Sequence, residues 1–260
     1  MSKKKKTVAI IQARMGSSRL PGKMMMDIEG RPLIAHVVER AKRIPSLDSV
    51  WLATTISERD EPLAQYAKTL GIEIYRGSED DVLDRYYEAA KLAKADIVMR
   101  ITGDCPLLDP EVSDLVMKGY LNGDVDYVTN TKPPTFPDGL DTEVFSFEVL
   151  ARVCKEAELV SEREHVTPYI WKNPKLFTIR NILQDIDLSG ERWTIDTKED
   201  FEFVSQVLRS LGTDKSDMMS IYRLLLRNPE LRKINKIYKR DEGYAKSLKE
   251  DKKYEDNQKN

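Results

Sequence analysis

Apolar residues along the chain follow two spacings in alternation. A short continuous apolar run at 8–11 is followed at once by a Gly/Ser/Pro-rich loop at 13–23. Leu33, Val37, Ala41 and Ile44 then recur at helical spacing. The pattern predicts strand, loop, helix. The run at 50–53 predicts a second buried strand. A helix is expected over about 59–70, with Asp60, Glu61 and Pro62 in its first turn and Gly71 as its stop. A third strand is expected at 72–75, then a helix through Leu83, Tyr87 and Ala90, then a strand at 97–101. Asp109-Pro110 reads as the cap and first residue of the next helix. Buried strands alternating with amphipathic helices predict an α/β fold, a mostly parallel sheet flanked by helices.

The middle of the chain changes character. TKPPTFPDGL at 131–140 is a Pro- and Gly-rich loop, strands are expected at 142–147 and 177–183, and a strand at Tyr127-Val128 precedes them. Ser161 and Glu164 have capping-box spacing ahead of a helix carrying Val166 and Ile170. Thr194-Ile195 ends in Asp196, and a helix over 198–211 closes at Gly212. The reading is a basic disordered tail at 1–6 and one domain over 7–212. Within that domain, 131–190 is a small β-containing insertion on the same sheet. A helical extension follows over 213–249, marked by Met218, Ile221, Tyr222 and Leu225. A polar tail from 250 to 260 is expected to be disordered.

Composition narrows the chemistry. Of 260 residues, 40% are apolar and 33% charged, and 42 basic residues nearly balance 44 acidic ones. That balance argues against a general nucleic-acid binder. Two His and two Cys, with no CxxC or HExxH spacing, leave no zinc site, so any metal must be a hard cation held by carboxylates. KKKK at 3–6 precedes an apolar run that Gln12 and Arg14 cut short, which is unlike a signal peptide, and no stretch approaches a membrane span. The expected compartment is the cytoplasm, with both Cys reduced.

The loop ARMGSSRLPGK at 13–23 carries the chemistry. Gly16, Ser17 and Ser18 let the backbone approach a ligand and offer N–H and hydroxyl donors, while Arg14, Arg19 and Lys23 add three cations. Its place at the carboxyl end of a parallel strand is where open α/β sheets bind ligands. A polyphosphate fits, because its oxygens need fixed donors and positive charge together. A solvated basic loop is the plain alternative, which coincident glycines, serines and strand-end placement disfavour. Met24 stands where a Walker loop needs Ser or Thr.

QARMGSSRLPGK, with GRPLI at 30–34, resembles the nucleotide-binding signature of sugar cytidylyltransferases, including the synthetases of CMP-octulosonate and CMP-sialic acid. The likeness is strongest to the spore-coat polysaccharide SpsF-like group. It runs on through RITGDCPLLD at 100–109, FPDGLDTEVFSFEVL at 136–150, EREHVTPYI at 162–170, RWTIDTKEDFEFV at 192–204 and DEGYAKSL at 241–248. The resemblance implies a Rossmann-like (GT-A-like) nucleotidyltransferase fold, CTP with Mg²⁺, release of pyrophosphate, an acidic or phosphorylated sugar-like acceptor and a homodimer. It implies metal ligands at Asp104, matching a QGDEP motif, and Asp196, matching IDTPEDL. Arg14, Lys23 and Asp104 take the catalytic roles. Ala13, Arg14, Gly16, Ser17, Ser18, Arg19, Lys23, Thr54 and Arg100 form the nucleotide-binding set. The chain departs from the octulosonate synthetases at Thr55, where they carry Asp, and at Cys105, where they carry Glu.

Asp141, Glu143, Glu164 and His165 are the candidate acceptor-binding residues. The plain alternatives are a solvated strand face for the first two and an ordinary surface helix for the others. For Asp196 the alternative is a helix N-cap, for which Thr197 competes. Arg100 and Arg192 are candidates to hold a carboxylate or phosphate. A glycosyltransferase of the same fold, using a finished nucleotide-sugar, is the rival activity, and it releases no pyrophosphate.

Overall fold

A computed structural model describes residues 4–258. In chain order the elements are β1 (Thr7–Gln12), β2 (Asp27–Ile28), β3 (Arg31–Pro32), α1 (Leu33–Ala41), β4 (Ser49–Thr55), α2 (Glu61–Thr69), β5 (Glu73–Gly77), α3 (Val82–Ala93), β6 (Ile97–Thr102) and α4 (Pro110–Leu121). They continue with β7 (Tyr127–Thr129), β8 (Glu143–Ser146), α5 (Phe147–Glu156), α6 (Val160–His165), α7 (Pro168–Lys172), β9 (Ile179–Asn181), α8 (Lys198–Leu211), α9 (Met218–Arg227) and α10 (Glu242–Gln258).

Seven strands form one sheet in the order β5-β4-β1-β6-β8-β7-β9. β4, β5 and β6 run parallel to β1, β8 alone is reversed, and β7 and β9 resume the common direction. The sheet is therefore mostly parallel, as the alternation predicts. Both faces of β1 are covered, which explains its unbroken apolar run. Ala9 and Ile11 pack toward α1, α2, α4, α8 and α9, while Val8 and Ile10 pack toward α3, α5 and the α6–α7 segment. Asp109 caps α4, its side chain accepting from the N–H of Glu111 at 2.8 Å.

Three local expectations are corrected. The helix expected through Val166 and Ile170 is two short helices, because Val166 takes φ 72° between them. Ser161 is not its cap: Leu159 precedes α6, and its N–H donates to Glu162. Polar residues 250–258 are the end of α10, not a disordered tail. Asp251 is buried and accepts the Ser161 N–H at 2.8 Å. The helix docks on α6 through polar contacts, which hydropathy does not register. Of the basic tail, residues 1–3 lie outside the described residues. Lys4 pairs with Asp48 at 2.6 Å, and Lys6 donates to the Ala93 carbonyl at 2.7 Å. Among the described residues no helix is long and apolar enough to cross a membrane.

Candidate active site

The site is assembled where β1 and β6 end side by side. The Gly103 N–H donates to the Gln12 carbonyl at 2.8 Å. A Cβ on Gly103 would lie 2.7 Å from the Ala13 Cβ and 2.8 Å from that carbonyl, so only glycine permits the approach. It sets Asp104 directly beside the loop 13–23. The loop folds back on itself through Gly22, at φ 75°, whose N–H donates to the Met15 carbonyl at 3.0 Å. Lys23 follows in a 3-10 turn and is 5% exposed.

The Lys23 ammonium is the hub. Its Nζ lies 3.0 Å from Asp104 Oδ2, 2.9 Å from Asp196 Oδ1 and 2.7 Å from the Ile195 carbonyl. The two acids assigned to a metal thus meet at one point, about ninety residues apart in sequence. Burial works against the Lys23 charge, but Asp104 and Asp196 outweigh it and its pKa is raised. Burial also works against the Asp104 carboxylate, and Lys23 outweighs it, so the Asp104 pKa is lowered.

Asp196 is not a helix cap. Thr197 caps α8, its hydroxyl accepting from the Asp200 N–H at 3.2 Å, which leaves the Asp196 carboxylate facing the pocket. It is held there by Arg192 at 3.0 Å and met by Arg19 at 2.8 Å. Arg192 is the organising cation of this side. It also donates to Asp138 at 2.9 Å and to buried Asp200 at 2.9 Å. Asp138 sits beside Asp141, whose partner is Arg240 from the C-terminal segment. Burial, reinforced by the neighbouring Asp141 charge, pushes the Asp138 carboxyl up to about 7. Burial likewise raises Asp141, against the pull of Arg240.

Arg100 and Glu143 are register partners across β6 and β8 and form a buried ion pair. Glu143 also accepts from the hydroxyls of Tyr127 and, at 2.5 Å, Thr167. Burial opposes both charges and each outweighs it for the other, lowering Glu143 and raising Arg100. These two side chains form a fixed floor for the pocket. Glu164 and His165, at the end of α6, share the Ser247 hydroxyl of α10, with His165 Nε2 at 3.0 Å.

Most of these groups line one open cavity of about 630 Å³. Ala13, Arg14, Gly16, Ser17, Ser18, Arg19, Lys23, Arg100, Asp104, Asp141, Glu143, Glu164, His165 and Asp196 are in its wall. Thr54 is not. It is fully buried, and its hydroxyl donates to Asp60 at 3.0 Å. Asp60 is what matters at this position: it also accepts the Met15 N–H at 2.7 Å and pins the loop to the end of β4. The sequence pattern places Asp60 merely in a helix first turn. It also misses Asp138, Arg240, Glu242 and Tyr244, which line the cavity from segments counted as loop or extension. The only signal for Glu242 and Tyr244 is the family-like stretch at 241–248, and Arg240 lies just before it.

A mostly parallel Rossmann-like sheet, with a cationic Gly/Ser loop facing paired carboxylates at its strand ends, defines a nucleotidyltransferase. The model of the cytidylyltransferase family matches residues 8–252, and the chain belongs to that family. It is 32% identical over 230 residues to the spore coat polysaccharide biosynthesis protein SpsF of Bacillus subtilis, covering 85% of this chain and 94% of that protein. It is 44% identical over 127 residues to a 3-deoxy-manno-octulosonate cytidylyltransferase of Anaeromyxobacter sp. (strain K), covering 48% of this chain and 50% of that one. A solved cytidylyltransferase structure from Leptospira borgpetersenii superposes with a TM-score of 0.85 at 32% identity, covering 88% and 97% of the two chains.

Proposed function

We propose that this enzyme transfers CMP from CTP to an acidic or phosphorylated sugar-like acceptor and releases pyrophosphate. The observation that carries the reading is the convergence of Lys23, Asp104 and Asp196 beneath the loop 13–23. Arg14, Arg19 and the Gly16–Ser18 backbone offer donors and charge to a triphosphate. An acceptor oxygen attacks the α-phosphorus in line. The bond from that phosphorus to the bridging oxygen breaks, and its electron pair leaves with pyrophosphate. The protein contributes position and charge rather than covalent chemistry.

The donor set suits Mg²⁺. Two carboxylates already share one cation, Lys23, and a hard metal takes one or two carboxylates plus substrate phosphate oxygens. Asp104 and Asp196 would hold it, and it would supply neutralisation of the phosphate charge. Among the described residues no larger cluster of acidic, His or Cys side chains is arranged for an ion. The remaining ligands would then be substrate and water.

The test is pyrophosphate release from the purified chain with each NTP, Mg²⁺ and a panel of acidic sugars and phosphorylated polyols. CTP is expected to be the preferred donor. Release of a nucleoside mono- or diphosphate from a nucleotide-sugar, with no pyrophosphate from any NTP, would replace this reading with the glycosyltransferase one.

A further inference from the structure

The cations of the cavity wall are nearly all engaged. Arg19, Lys23, Arg100, Arg192 and Arg240 each hold a carboxylate, and Arg85 donates to the carbonyls of Ser78 and Glu79. Arg14 lies 3.9 Å from Glu79, Lys246 is exposed at the rim, and Lys132 is the half-buried exception. Among the described residues it has no acidic partner, and its Nζ lies over the Trp171 ring, 4.6 Å from the centroid. Its backbone is fixed: the Lys132 N–H donates to Asn181 Oδ1 at 3.2 Å, and the Asn181 amide donates to the Pro133 carbonyl at 2.8 Å. The other half-buried aromatic on this wall is Tyr244 of α10, whose ring lies 5.5 Å from that of Trp171.

We propose that Lys132, Trp171 and Tyr244 form the acceptor subsite, in which the ammonium takes the acceptor's carboxylate or phosphate and the aromatic pair takes the apolar face of its ring. The subsite rests on the cytidylyl-transfer reading above. A half-buried ammonium without a counter-ion is electrostatically incomplete, and an anionic ligand completes it with a charge-assisted hydrogen bond. The Lys132 ammonium now lies over the Trp171 ring; an acceptor anion draws it aside, and the freed ring gives a sugar C–H contacts while its hydroxyls face the polar floor. Because Tyr244 comes from α10, the C-terminal segment is part of the specificity machinery.

The test uses the full chain with CTP, Mg²⁺ and an acceptor panel that begins with 3-deoxy-manno-octulosonate and includes sugar phosphates and their neutral counterparts. For the acceptor turned over, Lys132→Met is expected to raise the acceptor KM about tenfold or more, while the CTP KM and the melting temperature hold. Lys132→Arg is expected to restore most of the loss, and Tyr244→Ala to raise the acceptor KM alone. An unchanged acceptor KM in Lys132→Met, or a parallel rise in the CTP KM, removes the subsite and leaves the cytidylyl-transfer reading standing. A wild-type chain silent on the whole panel removes that reading and the subsite with it.

Discussion

Lys23 Nζ lies 3.0 Å from Asp104 Oδ2, an ion pair that spans the pocket between the loop and the end of β6. The ammonium fills the space between two carboxylates, so its removal changes both the proposed phosphate site and the cation balance. Lys23→Met is expected to lower pyrophosphate release about a thousandfold, a loss typical of preorganised charge in a site. Circular dichroism should show an intact fold. The same variant leaves Asp104 without its cation and Asp196 with Arg19 and Arg192 alone, so nucleotide-free protein should bind Mn²⁺ more tightly than wild type. Wild-type turnover in Lys23→Met would remove the assignment.

Arg100 and Glu143 form a pair that is mostly buried, at 12% and 6% side-chain exposure. Removing one partner leaves the other charge without a counter-ion at a mostly buried position. Arg100→Met or Glu143→Leu alone should cost about 3–5 kcal/mol in urea denaturation. The double variant should recover part of that, although the Tyr127 and Thr167 hydroxyls lose their acceptor. A double variant as unstable as the sum of the singles would show that the pair is not acting as a unit.

Asp138 gives the apo protein a pH signature. Its folded pKa is about 7, raised by burial and by Asp141 and Asp104, against Arg240 and Arg192. Its unfolded value is about 4. Between these values the folded state holds a proton that the unfolded state has released. Stability contributed by this group is therefore greatest at low pH, declines as pH rises from about 4 to about 7, and is constant above that. Asp138→Asn should flatten the stability profile in that window, measured by urea midpoints across pH. An unchanged slope would show that the Asp138 carboxyl does not hold its proton there.

The sheet was legible because β1, β4 and β6 are buried on both faces and read as short apolar runs between amphipathic helices. The loop 13–23 was legible because glycines, serines and cations coincide at a strand end. The convergence of Asp104 and Asp196 followed from family motifs, not from local pattern, since ninety residues separate them. Arg192's role was open to reading only as a charge. That it reaches Asp138 as well as Asp196 and Asp200 is decided by the crossing of two segments at Gly139, where a Cβ would lie 2.7 Å from the Thr194 nitrogen. The C-terminal wall was illegible for another reason. α10 is polar on most positions, and its docking rests on Ser247, Asp251 and Tyr244, single contacts with no periodic signal.

Asp60 and Thr54 separate a loop anchor from a nucleotide contact. Asp60 accepts four hydrogen bonds, from the Met15 N–H, both Thr54 and Thr55 hydroxyls and the Thr55 N–H. Asp60→Ala strands these buried donors and frees the loop. It should cost about 2 kcal/mol or more and raise the CTP KM about tenfold. Thr54→Val deletes one of the four bonds in a fully buried place and leaves the loop pinned. It should cost about 1 kcal/mol and leave the CTP KM within about twofold of wild type. A large rise in CTP KM for Thr54→Val, with Asp60→Ala unaffected, would return Thr54 to the nucleotide site and reduce Asp60 to an ordinary buried acid.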